Sequence, residues 1–454
     1  MIRFIYNLFW PIGLLFFLPG YLMKMVRRGG YREKFGQRLG IYDRDLRARL
    51  SQSRGKRPTW LHAVSVGEVM IALKLARQLR TLEPDVPCVL TTTTTTGFAL
   101  ANKRSPPWVE VMYTPLDFWP VMRRAFSTIR PAKIVLVEAE IWPNLAAEAH
   151  AHRIPLALVN ARLSPRSEGR FRRFRFFVAP TFRLLDLICV QERDDVDRWT
   201  ELDVERTRIK YTGSIKYDPT GLDEESGEFV ATSLRDVLSA GRMDSSRGEP
   251  GLNPERPVLF GGSTHRGEEE ILAKIFTRLR QKFPSLCLFI APRHVERVRE
   301  IRAQLEGLPL RVRLTSEAAN HSKAEPDCVL LDTTGDLRRW YSIATVVFIG
   351  KSMTAHGGQN PVEPIMARRP VVFGPHMENF VTLAGTLVSK KGAIQVHDAE
   401  SLEAAIENLL GDTEARQRLV QNAREVLDQH CGATARAAAL IHKICSKEEQ
   451  ACPP

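Results

Sequence analysis

The sequence lacks the signatures of several large function classes. Its seven cysteines, at positions 88, 189, 287, 328, 431, 445 and 452, form no CxxC pair and no metal-finger spacing. An odd, scattered set of this kind reads as core or surface thiols in a reducing compartment rather than as a disulfide framework. No HExxH occurs, and no run of His, Asp and Glu has the spacing of a metal site, which weighs against zinc chemistry. No strand-like run leads into GxGxxG with a spaced acid, so a dinucleotide enzyme is disfavoured. Gly350-Lys351-Ser352 has Thr345 where a phosphate-binding Walker loop requires glycine, and a P-loop NTPase is disfavoured with it. Acidic charge is in deficit: 65 Lys and Arg stand against 52 Asp and Glu, a net charge of +13. Such a chain attracts anions, whether nucleic acid, anionic membrane or a phosphorylated substrate. There is no repeat of short period.

A long apolar run occurs at the N-terminus. Phe4–Val26 reads FIYNLFWPIGLLFFLPGYLMKMV, about the length of a membrane span. Asn7, Pro11, Pro19 and Lys24 interrupt it, and Arg27, Arg28, Arg32, Lys34 and Arg38 follow it. A cleaved signal peptide would carry its positive charge ahead of the run. The stretch is therefore expected to be a membrane anchor whose trailing cations stay cytoplasmic against anionic headgroups. Two prolines favour a broken or monotopic insertion over a straight span, and both remain open.

At 454 residues the chain exceeds what one core usually supports, so two domains are expected. Trp60–Ala63, Val86–Thr92, Val109–Tyr113, Lys133–Glu138, Leu156–Val159 and Leu187–Val190 read as strands, with amphipathic stretches such as Ala72–Leu82 and Leu145–Arg153 between them. Val258–Gly261, Leu286–Ala291, Val329–Leu331, Val346–Ile349 and Val371–Phe373 form a second series. Strands alternating with helices give mostly parallel sheets covered on both faces, hence an α/β chain of two Rossmann-like halves. Between the halves, MDSSRGEPGLNPERP is polar and glycine-rich and reads as a surface loop, to which no function is assigned. Glu400–Ile444 is nearly all helix former.

WLHAVSVGE, Trp60–Glu68, passes from a buried strand through a small-residue turn into a helix with Glu68 in its first turn. An acid there is stabilised by the helix dipole, by roughly 0.3–1 kcal/mol. The carboxyl end of a strand is also where open α/β sheets bind ligands, so capping and catalysis both stay open. TTTTTTG, Thr91–Gly97, reads as a strand end and a turn satisfying its own backbone. In the second half, GGSTHRGEEE pairs a glycine turn, with Ser263 in it, to a helix start whose free amides suit a phosphate. APRH sets Arg293 and His294 just past a strand, and arginine is a bidentate phosphate clamp. HGGQNPVEP places Asn360 and Glu363 around a proline-started helix, where a carboxylate can accept hydrogen bonds from ribose hydroxyls. Each loop alone is compatible with capping, but three at one sheet edge point to a nucleotide. RSEGRFRRFRFF, Arg166–Phe177, interleaves cations with aromatics. It suits a membrane interface and, equally, a solvated amphipathic helix that packs its Phe residues on the domain. A nucleic-acid reading needs single-stranded stacking and sits badly with the N-terminal segment.

HAVSVGE, TTTTTTG, EAEIWPN, NARLS, TGSIKYD, STHRGEE, PRH and GGQNPVEP, in this order and across nearly the whole chain, resemble the 3-deoxy-D-manno-octulosonic acid (Kdo) transferases of lipopolysaccharide assembly. The resemblance implies a GT-B glycosyltransferase with two Rossmann-like domains facing across a cleft. Its parts would be an anchor at 1–26, an acceptor-binding domain at 27–215, a CMP-sugar-binding domain at 216–430, and a closing helix and tail at 431–454. It implies inverting transfer of Kdo from CMP-Kdo to the lipid A precursor at the cytoplasmic face of the inner membrane, with an anionic membrane surface as partner. No nucleic acid, no metal and no further cofactor are expected.

By the same resemblance Glu68 is the catalytic base, and Glu138 and Lys216 support the transition state. CMP contacts fall on Pro292 and Arg293, on Gly335, Asp336 and Leu337, and on Asn360, Pro361, Val362 and Glu363, with Ser263 as a further candidate. Two departures are conservative: Gly-Asp-Leu stands where the family commonly has Gly-Glu-Leu, and Asn-Pro-Val-Glu where it has Asn-Pro-Leu-Glu. Competing readings are a GT-B enzyme or epimerase using another nucleotide sugar, and a non-catalytic basic protein of the membrane surface. How many Kdo residues are transferred, the acceptor's acyl pattern and the oligomeric state stay open.

Overall fold

The computed structural model describes residues 3–10, 34–51, 55–139, 141–163, 165–218, 256–317, 326–333 and 337–449. Gly335 and Asp336, residues 11–33 of the N-terminal stretch, and most of the loop between the halves lie outside the described residues. Among the described residues no helix is long and apolar enough to cross a membrane.

The chain divides into two compact units, one of residues 1–218 with 430–454 and one of residues 219–429. The division expected at 215/216 thus lies three residues later. The C-terminal segment, expected as a separate helix and tail, belongs to the first unit. Its helix Ala433–Glu449 packs Ala437, Ala438 and Ile441 into the cluster that holds Val69 and Leu73 of the helix Val66–Leu82. Alanines on that face let the two helices approach closely.

The first unit is built on seven strands: β1 (Thr59–Ala63), β2 (Cys88–Thr92), β3 (Val109–Tyr113), β4 (Lys133–Val137), β5 (Leu156–Ala161), β6 (Leu187–Val190) and β7 (Ile209–Tyr211). Their order is β3-β2-β1-β4-β5-β6-β7, and every pairing is parallel. β1, β2, β4, β5 and β6, covered on both faces, bury every position, which is why they read as apolar runs rather than alternating ones. Trp60 packs with Phe126 and Ile134 on one face, while Leu61 and Ala63 meet Val69 and Leu73 on the other. Each large apolar side chain so buried contributes about 1.5–3 kcal/mol.

The second unit holds β8 (Val258–Thr264), β9 (Cys287–Pro292), β10 (Val312–Leu314), β11 (Cys328–Leu330), β12 (Val346–Ile349), β13 (Val371–Phe373) and β14 (Ile394–Gln395) in the order β10-β11-β9-β8-β12-β13-β14, again all parallel. Each sheet has a point where the strand order reverses, between β1 and β4 in the first and between β8 and β12 in the second. Ligands of open α/β sheets bind outside the carboxyl ends of strands at such points.

Candidate active site

In the first unit the loop after β1 and the residue after β4 supply two carboxylates, one on each side of the reversal point. Ser65 caps the helix Val66–Leu82, its Oγ accepting the Glu68 N–H at 3.4 Å. The Glu68 carboxylate returns the contact: Oε1 accepts the Ser65 hydroxyl at 2.7 Å and Oε2 accepts the Val64 N–H at 2.8 Å. Capping therefore accounts for one donor on each oxygen, and each retains a lone pair for another partner. The side chain is 7% exposed.

The threonine run braces this turn. Thr92 and Thr94 hydroxyls both donate to the Val64 carbonyl, and Thr94 caps the next helix by accepting the Gly97 N–H at 3.0 Å. A side chain at Gly97 would lie 2.7 Å from the Thr92 hydroxyl, so glycine alone fits.

Glu138 follows β4 with φ of 64°, a left-handed conformation that costs a non-glycine residue about 1–2 kcal/mol. Its N–H donates to the Val159 carbonyl at 2.9 Å, which fixes the turn. Its carboxyl is pushed up first by burial and then by the Glu68 charge, while Lys216 and Arg162 draw it back down. The Lys216 ammonium is lowered by desolvation and sustained by Glu138. Lys216 is exposed by surface area, yet enough protein surrounds its ammonium for desolvation to dominate. Among the three residues assigned to catalysis, Glu138 is thus coupled both to Glu68 and to Lys216, with Arg162 of NARLS acting on Glu138 and Lys216.

The loop carrying Lys216 is tied down from three sides. Asn160, at φ of 53°, accepts the Ile215 N–H at 2.9 Å and the Ser214 hydroxyl at 3.3 Å through one side-chain oxygen. Lys74, on the same helix as Glu68, donates to the carbonyls of Ile215 and Asp218. His430 Nδ1 accepts the Ser214 N–H at 3.2 Å, and the Asp218 carboxylate receives the N–H groups of Gly432 at 3.0 Å and Thr434 at 2.7 Å.

In the second unit the loops after β8, β9 and β12 converge. Ser263 sits at φ of 54°, and Gly350 lies so close that an added side chain would come within 2.2 Å of the Ser263 carbonyl. Glu268, in the first turn of the helix Glu268–Leu279, is 1% exposed and accepts four backbone N–H groups: His265 at 2.8 Å, Lys351 at 2.8 Å, Ser352 at 2.9 Å and Met353 at 3.0 Å. It staples the β8 loop to the β12 loop.

The His265 imidazole is lowered by burial and then by Lys351, His294, Arg297 and Arg293, which marks a concentration of positive charge at these strand ends. Pro292 closes β9. Arg293 holds its backbone to the Thr264 carbonyl at 3.0 Å, while its exposed guanidinium meets no hydrogen-bond or ion-pair partner among the described residues. Asn360 donates to Glu363 at 3.2 Å and accepts the Val362 N–H at 3.0 Å, fixing the turn at Pro361. Leu337 opens the short helix Leu337–Tyr341.

Sequence alone gives no role to Glu268, Arg162 or Asn160, and it brings up Lys351 only in the disfavoured Walker loop. The one signal for Glu268 is its likeness to Glu68: both are acids in the first turn of the helix after their sheet's first strand.

The Arg-Phe run forms two helices, Pro165–Arg173 and Arg175–Phe182. Arg172 pairs with Glu201, and Arg175 and Arg183 pair with Asp203. Phe171 and Phe182 pack edge to face in the domain, while Phe174, Phe176 and Phe177 are exposed. The packing of Phe171 and Phe182 fits the reading of an amphipathic helix laid on the domain. The helix at 3–10 is pinned by Arg3 to Glu148 at 2.5 Å and by Asn7 to Asn144 at 2.9 Å, leaving Phe4, Leu8 and Phe9 exposed.

Comparison with known proteins identifies the family. The family described as 3-Deoxy-D-manno-octulosonic-acid transferase (kdotransferase) matches residues 33–219. The chain is similar to a 3-deoxy-D-manno-octulosonic acid transferase of Haemophilus influenzae, 32% identical over 419 residues that cover 92% of each chain. It is also 32% identical over 390 residues to the protein of that name from Bordetella pertussis, covering 84% of this chain and 85% of that one. Among solved structures, a UDP-GlcNAc 2-epimerase from Neisseria meningitidis bound to UDP-GlcNAc has a TM-score of 0.53 at 10% identity, covering 86% of this chain and 100% of that one, and so shares the fold. With a glycosyltransferase fold, coupled acids at one reversal point and cationic loops at the other, the chain belongs to the 3-deoxy-D-manno-octulosonic acid transferase family.

Proposed function

We propose that the protein transfers Kdo from CMP-Kdo to a lipid A precursor with inversion at the anomeric carbon. The acceptor hydroxyl attacks that carbon, the bond to the CMP phosphate oxygen breaks, and the hydroxyl proton passes to Glu68. Family membership together with the coupling of Glu68, Glu138 and Lys216 carries this reading. Lys216 would offset negative charge on the Kdo carboxylate or the departing phosphate, and Glu138 would hold the Lys216 ammonium in its charged form. In the second unit Arg293 and the amides at the start of Glu268–Leu279 would bind phosphate oxygens, and Glu363 the ribose. Charge on the leaving group would be met by these cations, so no metal ion is assigned a step.

The acceptor carries phosphates and acyl chains. The exposed Phe4, Leu8 and Phe9, the exposed Phe174, Phe176 and Phe177, and the net positive charge support a location on the cytoplasmic face of an anionic inner membrane.

Incubation of purified protein with CMP-Kdo and tetraacylated lipid A precursor, followed by product masses, tests the reaction. One or more added Kdo residues are expected, with no turnover of UDP-sugars. Turnover of a UDP-sugar instead would overturn the donor assignment.

A further inference from the structure

The loops after β12 and β13 bring together three metal-ligating side chains that no local spacing announces. His356 lies on the first loop, His376 and Glu378 on the second, and their ligand atoms all lie within 4.8 Å of one another. Both imidazoles face one oxygen: His356 Nδ1 is 3.0 Å and His376 Nδ1 3.3 Å from Glu378 Oε1. The ring centroids are 3.9 Å apart. Two ligands about 2.0–2.1 Å from a tetrahedral zinc ion stand roughly 3.3–3.4 Å from each other, so little movement separates the present arrangement from a coordinating one.

The backbone holds this geometry before any ion arrives. The Gly357 N–H donates to Glu378 Oε2 at 2.6 Å, the Asn379 N–H to the Gly357 carbonyl at 2.9 Å, and the His376 N–H to the Ser352 carbonyl at 3.0 Å. Gly358, at φ of 68°, lets the loops touch, since a side chain there would come within 2.4 Å of the Met377 sulfur. The carboxyl of Glu378 is held down to about 2 by its bond to His356, with further help from its own backbone and the Gly357 N–H, so it is ionised at any physiological pH.

We propose that His356, His376 and Glu378 bind one divalent transition-metal ion of the zinc type, which clips the loop bearing Gln359 and Asn360 to the loop after β13. Two imidazoles and a carboxylate, with a fourth position left to water, make a donor set suited to that ion. Each imidazole binds as the neutral ring: its one N–H proton sits on Nε2, by exchange of tautomer through solvent, so that the Nδ1 lone pair turns to the metal. The Lys351 ammonium lies beside Gly357 and opposes the ion's charge, while Glu378 offsets it. The site is a clip and takes no part in the transfer proposed above.

The test uses the full chain stripped of metal, titrated with zinc by calorimetry and with cobalt by visible absorption. The wild type should take up one equivalent with the bands of four-coordinate cobalt, and zinc should raise its unfolding midpoint. His356→Ala removes an exposed side chain and should weaken that equivalent at least tenfold. Glu378→Gln should do the same and serves as the second variant, while Cys431→Ser should leave binding intact. Equal stoichiometry and affinity in the wild type and both ligand variants would overturn the proposal, as would the absence of uptake by the wild type.

Discussion

The side-chain oxygen of Asn160 accepts the N–H of Ile215 at 2.9 Å, so the residue before Lys216 is set by the end of β5. Asparagine suits this position twice over: its φ of 53° is one it tolerates, and its carbonyl serves both Ile215 and Ser214. Asn160→Ala leaves a buried N–H without a partner, at about 1–3 kcal/mol, and adds backbone strain. A fall in unfolding midpoint of several degrees is expected, with a further loss of turnover that persists well below the midpoint because Lys216 is no longer held. Normal turnover in a variant of lowered midpoint would show that the loop is positioned by Lys74 and His430 alone.

Glu68 caps its own helix and is also assigned the proton, and the two roles separate by mutation. Ser65→Ala removes the cap and should cost about 1 kcal/mol of stability with a modest effect on rate. Glu68→Gln keeps an acceptor for Val64 or Ser65 but cannot take a proton. Its turnover should fall about 10²–10⁴-fold while CMP affinity holds, measured by product formation and calorimetry side by side. Comparable losses in both variants would make the carboxylate structural.

Much of this arrangement was legible in the chain. The buried parallel strands announce themselves as apolar runs, and Glu68 and the three second-unit loops stand at their ends. What escaped was non-local or short. β7, β10 and β14 have only two or three residues each and include Lys210, Arg313 and Gln395, so they carry no apolar run. Glu268 reveals its task through amides of the β12 loop, 83 to 85 positions away. The return of the C-terminus to the first unit rests on Asp218 meeting Gly432 and Thr434, contacts 214 and 216 positions apart, which no periodicity reports.

Arg293 presents a guanidinium with no hydrogen-bond or ion-pair partner among the described residues, where Lys351, His294 and Arg297 also gather. Hydrogen bonds to charged groups contribute about 1.5–3 kcal/mol, so Arg293→Ala should weaken CMP binding by roughly 10–150-fold. Because the side chain is exposed, the unfolding midpoint should not move. Unchanged CMP affinity by calorimetry would remove Arg293 from the phosphate site.

The same cations bear on metal dependence. With Arg293 and Lys351 placed to meet the phosphate charge, transfer is expected to continue in excess EDTA. If zinc occupies His356, His376 and Glu378, the chelator should lower the unfolding midpoint without stopping turnover. Abolition of transfer by EDTA, restored by a divalent ion, would assign the metal a role in the reaction.

Two buried histidines make stability depend on pH. Burial lowers His62 to about 4, and burial and Arg436 lower His430 to about 4 against the opposing pull of Asp218. Unfolded histidine titrates near 6.5, so between these values the unfolded chain binds more protons and stability rises with pH. The contribution, roughly 3 kcal/mol for each histidine, is present above about 6.5 and is lost as pH falls through about 4. Asp117, pushed up to about 6 by burial, works in the opposite direction over part of that window. Comparison with His62→Gln isolates the histidine: denaturant unfolding between about pH 7 and 4.5 should show a slope shallower by up to ~1.4 kcal/mol per pH unit than the wild type. His430 adds a local consequence, because protonating Nδ1 removes the acceptor of the Ser214 N–H, two residues before Lys216. Turnover should therefore fall on the acid side before global unfolding, and His430→Gln should abolish that early loss. If wild type and variant lose activity along the same curve, the loop is not released through His430.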